Sequence, residues 1–130
     1  MHTTIIQKDI QTVFNEIEKQ ISAHAMLLLC HINGQANAAR IGENVPGVCV
    51  LEVFRPEYAV RVWRAEQQAG IEIPIRIYMY EGPNGETVIN HRSLSEAMMK
   101  YNSQELLNVG GEADEVITSI IALTANNLYS

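Results

Sequence analysis

Apolar residues at helical spacing near the N-terminus predict the first helix. They recur at intervals of three and four residues, as one face of an α-helix requires: Ile10, Val13, Phe14, Ile17 and Ile21. Asp9 stands just before them and is a candidate N-cap. The short β-branched stretch at residues 3–7 predicts an edge strand ahead of this helix.

Two short apolar runs follow and predict strands. Residues 25–32, "AMLLLCHI", are interpreted as a buried strand that ends at Gly34. Residues 48–54, "VCVLEVF", predict the next strand, since both runs have strand length and many large aliphatic side chains. The intervening residues 35–47 predict a loop with one short helical turn.

A second amphipathic helix is predicted from the stretch "RPEYAVRVWRAEQQAG". Pro56 suits the first helical position, and Glu57 favours the positive end of the helix dipole. Gly70 predicts the end of the helix. Its apolar stripe is expected to consist of Tyr58, Val62, Ala65 and Ala69.

A hairpin is predicted where "IPIRIYMYE" and "ETVINH" flank a Gly-Pro-Asn-Gly turn. The first of its strands alternates between an apolar side and a polar or aromatic side. The apolar side is the natural inner side and consists of Ile75, Ile77 and Met79. The outer side consists of Arg76, Tyr78 and Tyr80.

Two further helices are predicted at the C-terminal end. Ser93 and Glu96 form a capping-box pattern that predicts a short helix. The last helix is predicted to begin after Gly110 and Gly111, with acids crowding its first turn, as the helix dipole prefers: Glu112, Asp114 and Glu115. Its apolar face is expected to be Ala113, Val116, Ile117, Ile120, Ile121 and Thr124.

The order of these elements predicts an α+β fold with one sheet and helices packed on one face. The elements run β-α-β-(short α)-β-α-β-β-α-α, with no internal repeat and no linker. A length of 130 residues suits a single domain covering residues 1–130.

Charge and composition exclude several classes of partner. The formal net charge is −6, with nine basic against fifteen acidic side chains. Nucleic-acid binding requires a basic footprint, and anionic membranes attract basic segments, so neither partner is expected. The longest strongly apolar run is far shorter than a membrane span. The N-terminus lacks a signal-peptide pattern, and a cytoplasmic location with reduced thiols is expected.

Outward-facing side chains on three predicted strands define a candidate binding surface. Glu52 alternates with Leu51 and Val53, and His31 alternates with Cys30. If the strands share register, one open face carries the candidate ligand-binding residues His31, Glu52, Arg76, Tyr78 and Tyr80, with Asn90 or His91 as further members. Arg76 would hold an anion, and the tyrosines would supply apolar walls and hydroxyl donors.

Three interpretations of this face stay open. It is a solvated sheet face, a homodimer interface rich in tyrosine and arginine, or the wall of a small-molecule pocket. The second and third are compatible with each other. The leading hypothesis is a homodimeric domain that binds a small molecule or a partner and has no chemistry of its own.

Two alternatives involve chemistry. An enzyme would use His31 or His91 as a general base with Glu52 or Glu81 as its partner. A metal or haem carrier would draw on His31 or Cys30, yet these neighbours point to opposite faces of a strand, so no metal site is predicted and the cofactor is unknown. The other residues weighed as metal ligands are Cys49, His24 and His91.

The middle of the chain resembles a known family. The stretch "VLEVFRPEYAVRVWRAEQQAGIEIPIRIYMYEGPNGETVI" is similar to the core of the domain of unknown function 302 family, small bacterial and archaeal proteins, without gaps across residues 50–81. The resemblance extends over most of residues 1–125. It depends on packing and turn residues, among them Pro56, Ala59, Arg61, Gly70 and Pro74.

The resemblance implies an α+β fold with a single antiparallel-rich curved sheet, in the β-α-β-β-α-β-β-α order of the TATA-binding protein, and homodimers. It implies no known activity. Family members often carry a cysteine before an Asn-Pro helix start and another after the later proline. Here those places hold Phe54 and Ile75, and Arg55 replaces the Asn. Any redox or metal work of those thiols is therefore lost in this chain.

Overall fold

The computed structural model describes residues 1–129 and contains a five-stranded sheet. Every neighbouring pair of strands is antiparallel, and the spatial order is β1-β5-β4-β3-β2, so β1 and β2 are the two edges. The strands are β1 (His2–Ile6), β2 (Leu27–Asn33), β3 (Val48–Phe54), β4 (Ile75–Glu81) and β5 (Thr87–His91).

The helices connect or follow these strands along the chain. They are α1 (Ile10–Ala23), α2 (Gly34–Ala39), α3 (Pro56–Ala65), α4 (Leu94–Met98) and α5 (Gln104–Leu128), with short 3-10 segments at Gln67–Glu72 and Met99–Tyr101. The predicted α+β class, curved sheet and element order are confirmed. Within residues 1–129, no helix combines the length and the apolar character needed to cross a membrane.

The hydrophobic core lies between the sheet and the helices. Leu51, Ile77 and Ile89 project from the three central strands and are fully buried. They meet buried apolar side chains from the helices, such as Val13 of α1 and Ile117 of α5. The predicted inner side of β4 is therefore confirmed.

The β4–β5 hairpin is closed by the predicted turn. The Gly82 amide donates to the Glu86 carbonyl oxygen at 2.8 Å, and Gly85 takes a φ of 81°, which glycine adopts without strain. This turn fixes the register in which Tyr78 lies opposite Asn90 and Ile77 lies opposite His91. The next pair, β3–β4, places Glu52 opposite Arg76.

Strand β2 is an exposed edge strand, and its prediction as a buried strand was wrong. Leu27 and Leu29 are 48% and 54% exposed. The register with β3 shifts between Leu28 and Cys30, which is the signature of a β-bulge at Leu29. An apolar run alone does not reveal that the strand has a neighbour on only one side.

Helix α3 ends earlier than predicted. It stops at Ala65, because Glu66 takes an extended conformation and its carboxylate accepts the Gln68 amide to start the 3-10 segment. Ala65 is exposed, whereas Ala69 is fully buried. Gly70 lies within the 3-10 segment and packs against the Trp63 indole.

Helix α5 begins earlier than predicted. Its N-cap is Ser103, whose hydroxyl accepts the Leu106 amide at 3.2 Å. Gly110 and Gly111 lie inside the helix, so the acids that follow them do not occupy a first turn. Two of those acids, Glu112 and Asp114, bond to other helices instead.

Two of these acids tie the helical layer together. Glu112, with Glu105, accepts hydrogen bonds from the Arg61 guanidinium of α3 at 2.8–3.3 Å. Asp114 accepts three hydrogen bonds from the start of α4, including the Leu94 amide at 2.7 Å. The side chains near the N-terminus of α4 are therefore positioned by α5.

Candidate functional site

The sheet face opposite the helices is the candidate site. Alternation along the strands and the observed register place one set of side chains on this open face. The open face consists of Thr3 and Ile5 of β1, Val88 and Asn90 of β5, Arg76, Tyr78 and Tyr80 of β4, Val48, Val50 and Glu52 of β3, and Cys30 and Ile32 of β2.

A cleft of about 670 Å³ opens at one end of this face, and we name it the Arg76 cleft. Strands β3, β4 and β5 form its floor, and the 3-10 segment before β4 and helix α4 form its walls. This volume falls in the range of small-molecule sites. The side chains that matter for its chemistry are Val50, Glu52, Arg76, Tyr78, Asn90 and Arg92.

A second hollow of about 500 Å³ lies at the other end of the face. Val45, Pro46, Val48 and Tyr80 line it, and Tyr78 belongs to both cavities. The Tyr78 and Tyr80 rings lie 5.6 Å apart between centroids. Tyr78 is therefore the aromatic centre of the open face.

The charged side chains of the Arg76 cleft differ in whether they have hydrogen-bond or ion-pair partners. Glu72 accepts a hydrogen bond from the Tyr101 hydroxyl at 2.6 Å and pairs with Lys100 at 2.9 Å. These partners, the Tyr101 hydroxyl first, hold the pKa of Glu72 below its usual range. In contrast, no hydrogen bond or ion pair within residues 1–129 engages the side chain of Glu52 or Arg76.

The structure brings most of the predicted site residues together. Glu52, Arg76 and Tyr78 line one cleft, and Tyr80 stands beside them on the same strand. Asn90 joins them because it pairs with Tyr78, and its amide nitrogen donates to the Thr3 hydroxyl at 2.9 Å.

The placement of His31 on the open face was wrong. The bulge at Leu29 shifts the alternation, so that Cys30 pairs with Glu52 on the open face and His31 pairs with the buried Leu51. The His31 ring stacks on Phe14 of α1 at 4.3 Å between centroids. His31 therefore lies on the helix side of the sheet.

The residues required by the catalytic alternative are not assembled. His91 pairs with Ile77 on the helix side, and the Glu81 carboxylate accepts the Gly47 amide at 3.2 Å. Within residues 1–129, no histidine is hydrogen-bonded to or paired with a carboxylate. A general base of the kind sought therefore has no oriented partner.

The candidate metal ligands are dispersed. In the described part of the chain, no three His, Cys, Asp or Glu side chains come together as metal ligands. Cys30 and Cys49 are both free and lie on opposite faces of the sheet. Burial raises the pKa of the Cys49 thiol to about 11, which leaves it protonated at neutral pH.

Some residues of the cleft escaped sequence reasoning. Arg92 and Pro74 reach it from the segments flanking the hairpin strands, and Val50 reaches it from β3. Val50 could have been predicted, because it lies two residues from Glu52 on the same strand and therefore faces the same side of the sheet. Arg92 lies beyond the end of β5, so only the tertiary fold brings it to the cleft.

A histidine pair at the sheet edge predicts a pH-dependent stability. His91 is half-buried and stacks on His2 of β1 at 5.0 Å between centroids. Burial lowers the pKa of His91 first, the charges of His2 and of the N-terminal amine lower it further, and Asp114 opposes them. The unfolded chain therefore binds this proton more tightly than the folded protein does.

We expect the free energy of unfolding to fall as the pH drops below about 6.5, the usual pKa of histidine. Above that pH, the titration of His91 should not change the free energy of unfolding. Urea unfolding at pH 7.5 and pH 5.5 measures the loss. His91→Gln should flatten this slope, and the exposed His31→Gln should leave it unchanged. An equal slope in wild type and His91→Gln would contradict the prediction.

Comparisons with known proteins agree with this architecture. A family model described as Domain of unknown function DUF302 matches residues 2–125. Among solved structures, the chain is similar to a crystal structure of an uncharacterized conserved protein DUF302 from Bacillus stearothermophilus, with a TM-score of 0.84. The identity is 16%, over 95% of this chain and 96% of that one, so this likeness shows the fold alone. No match is found among curated proteins.

Proposed function

The chain belongs to the DUF302 family, a domain of unknown function, and we propose from its own site that it binds a small molecule in the Arg76 cleft and performs no chemistry there. The observation that carries this proposal is the cleft itself. It joins free charged groups, Glu52 and Arg76, to an aromatic wall, Tyr78, within about 670 Å³. A concave site with few convergent polar groups is typical of ligand binding.

The scattered histidines support binding over catalysis. An acid–base enzyme needs an oriented proton acceptor in the cleft. The Arg76 cleft offers an exposed guanidinium and a carboxylate, which are suited to recognising charge. The tyrosine ring offers apolar contact area and a hydroxyl donor.

The proposal includes a homodimer in the cytoplasm. Strand β2 supports the homodimer, because an exposed sheet edge with apolar side chains is a template for pairing with another chain. Leu27, Leu29 and Ile32 stay exposed along this edge. Pairing at β2 would leave the Arg76 cleft open to a ligand. The two free thiols support a reducing compartment.

We expect small fragments that combine a carboxylate with an aromatic or apolar body to bind at the Arg76 cleft. Arg76→Gln should weaken their binding by about tenfold or more, since charge-assisted hydrogen bonds contribute about 1.5–3 kcal/mol. A fragment collection screened by amide-resolved NMR measures this. Perturbed resonances should cluster at Val50, Glu52, Arg76 and Tyr78.

Arg64→Gln is the matched control, because Arg64 is an exposed arginine of α3 on the helical layer. It should leave fragment affinity unchanged. Native mass spectrometry of the same samples reports the oligomeric state and any retained mass. Fragments that bind only outside the open face, or equal losses in both arginine variants, would refute the proposed site.

A further inference from the structure

Glu52 and Arg76 form an unusual pair in the Arg76 cleft. They are direct partners in the antiparallel register of β3 and β4. Opposite charges in such positions commonly attract each other across a sheet. Yet the ion pairs within residues 1–129 involve only Arg61 and Lys100 as cations. A carboxylate and a guanidinium thus stand side by side with their hydrogen-bonding capacity unused.

The surroundings of this pair restrict what can bind there. A ligand with only negative charge would meet the Glu52 carboxylate, and a ligand with only positive charge would meet Arg76 and Arg92. The other nearby acid, Glu72, is already held by Lys100 and Tyr101. A molecule carrying both charges on one small centre satisfies Glu52 and Arg76 together.

An apolar wall lies beside the charged pair. Val50, Ile73, Pro74 and the Tyr78 ring line the same cleft. Tyr78 is 39% exposed, so its ring is available for contact. The side-chain oxygen of Asn90, Oδ1, adds a hydrogen-bond acceptor, because the side-chain nitrogen Nδ2 already donates to the Thr3 hydroxyl. This wall accommodates an apolar side chain attached to the charged centre.

We infer that the Arg76 cleft binds a small zwitterion with an apolar side chain, the chemical class of an α-amino acid; this rests on the proposed function. Arg76 holds the carboxylate of the ligand. Glu52 and the side-chain oxygen of Asn90 hold its ammonium group. The aromatic and aliphatic wall around Tyr78 contacts its side chain.

Three probes of matched shape test the inference: phenylalanine, with both charges; phenethylamine, with the ammonium alone; and 3-phenylpropionate, with the carboxylate alone. Their dissociation constants are measured by NMR titration of the full chain at neutral pH. Phenylalanine should bind about tenfold or more tightly than either analogue, because each analogue leaves one charged partner unsatisfied.

Two variants assign the charges. Glu52→Gln should abolish the preference for phenylalanine over 3-phenylpropionate, because the amide no longer repels a lone carboxylate. Arg76→Gln should abolish the preference over phenethylamine. Glu43→Gln and Arg64→Gln change exposed residues outside the cleft and should preserve the wild-type order.

The outcomes separate this inference from the function on which it rests. If either analogue binds at the cleft as tightly as phenylalanine, the inference that the ligand is a zwitterion is wrong, but the proposed small-molecule site is unaffected. If none of the three probes shows detectable binding at millimolar concentration, the inference is also wrong. The proposed function fails separately, if the fragment screen finds no ligand on the open face.

Discussion

Replacing Gly110 by alanine is expected to destabilise the protein by about 2–3 kcal/mol, as overpacking of a tight contact does. A Cβ atom at Gly110 would lie 2.8 Å from the Ser95 Cα atom and 2.9 Å from the Ser95 nitrogen. Both are backbone atoms, so no side-chain rotation relieves the clash. Helices α4 and α5 would have to separate, at the expense of the Asp114 contacts between them.

Gly111 provides a matched control one residue away. It lies in the same helix, and a Cβ atom there would meet nothing within 4 Å. Gly111→Ala should therefore stabilise the protein by about 0.5–1 kcal/mol through helix propensity alone. Urea unfolding of both variants measures the difference. A stabilised Gly110→Ala variant would show that the two helices do not pack as closely as described.

The same contact bears on the candidate site. Leu94 and Ala97 of α4 line the Arg76 cleft, so a displaced α4 would change one of its walls. Gly110→Ala should therefore perturb amide resonances in the cleft, although Gly110 itself does not line it. Gly111→Ala should leave those resonances in place.

The start of α5 shows where sequence reasoning was limited. A glycine pair followed by acids has the local appearance of a helix start. Gly110 allows the close approach of α4 and α5. Glu112 binds Arg61 of α3, and Asp114 binds the N-terminus of α4. Neither partner is visible in the local pattern. Ser103 was the usable signal, since serine is a preferred N-cap.

The strands show the opposite case. In β3 and β4, alternation predicted which side chains face the core, because a period of two is a local property of an extended chain. Parity also placed Glu52, Arg76 and Tyr78 on one face. It did so only because β3 and β4 pair without a bulge.

Strand β2 broke the same rule in two ways. Its bulge moved His31 to the helix side, and its edge position left Leu27 and Leu29 exposed. A bulge inserts one residue without any sure mark in the sequence. Edge position depends on the order of strands in the sheet, which the predicted element order alone does not give. The cleft residue Arg92 was missed for a related reason, because it reaches the site through the tertiary fold.

Replacing Asp114 by alanine is expected to destabilise the protein by about 2–4 kcal/mol, because hydrogen bonds to a charged group contribute about 1.5–3 kcal/mol and a lost cap costs about 1 kcal/mol. The Asp114 carboxylate accepts from the Ser93 hydroxyl at 2.8 Å, the Leu94 amide at 2.7 Å and the Ser95 amide at 3.0 Å. Its removal leaves these amides at the start of α4 without their carboxylate partner.

Glu115→Ala is the control, since Glu115 is the exposed neighbour of Asp114 on the same helix. It should change the free energy of unfolding by less than about 0.5 kcal/mol, as surface substitutions usually do. Asp114→Asn keeps an acceptor without the charge and should fall between the two. Urea unfolding at pH 7 ranks the three variants. Equal losses for Asp114→Ala and Glu115→Ala would mean that the carboxylate does not hold α4. The position of α4, and with it the wall of the Arg76 cleft, would then depend on other contacts, such as the apolar packing of Leu94 and Met98 in the core.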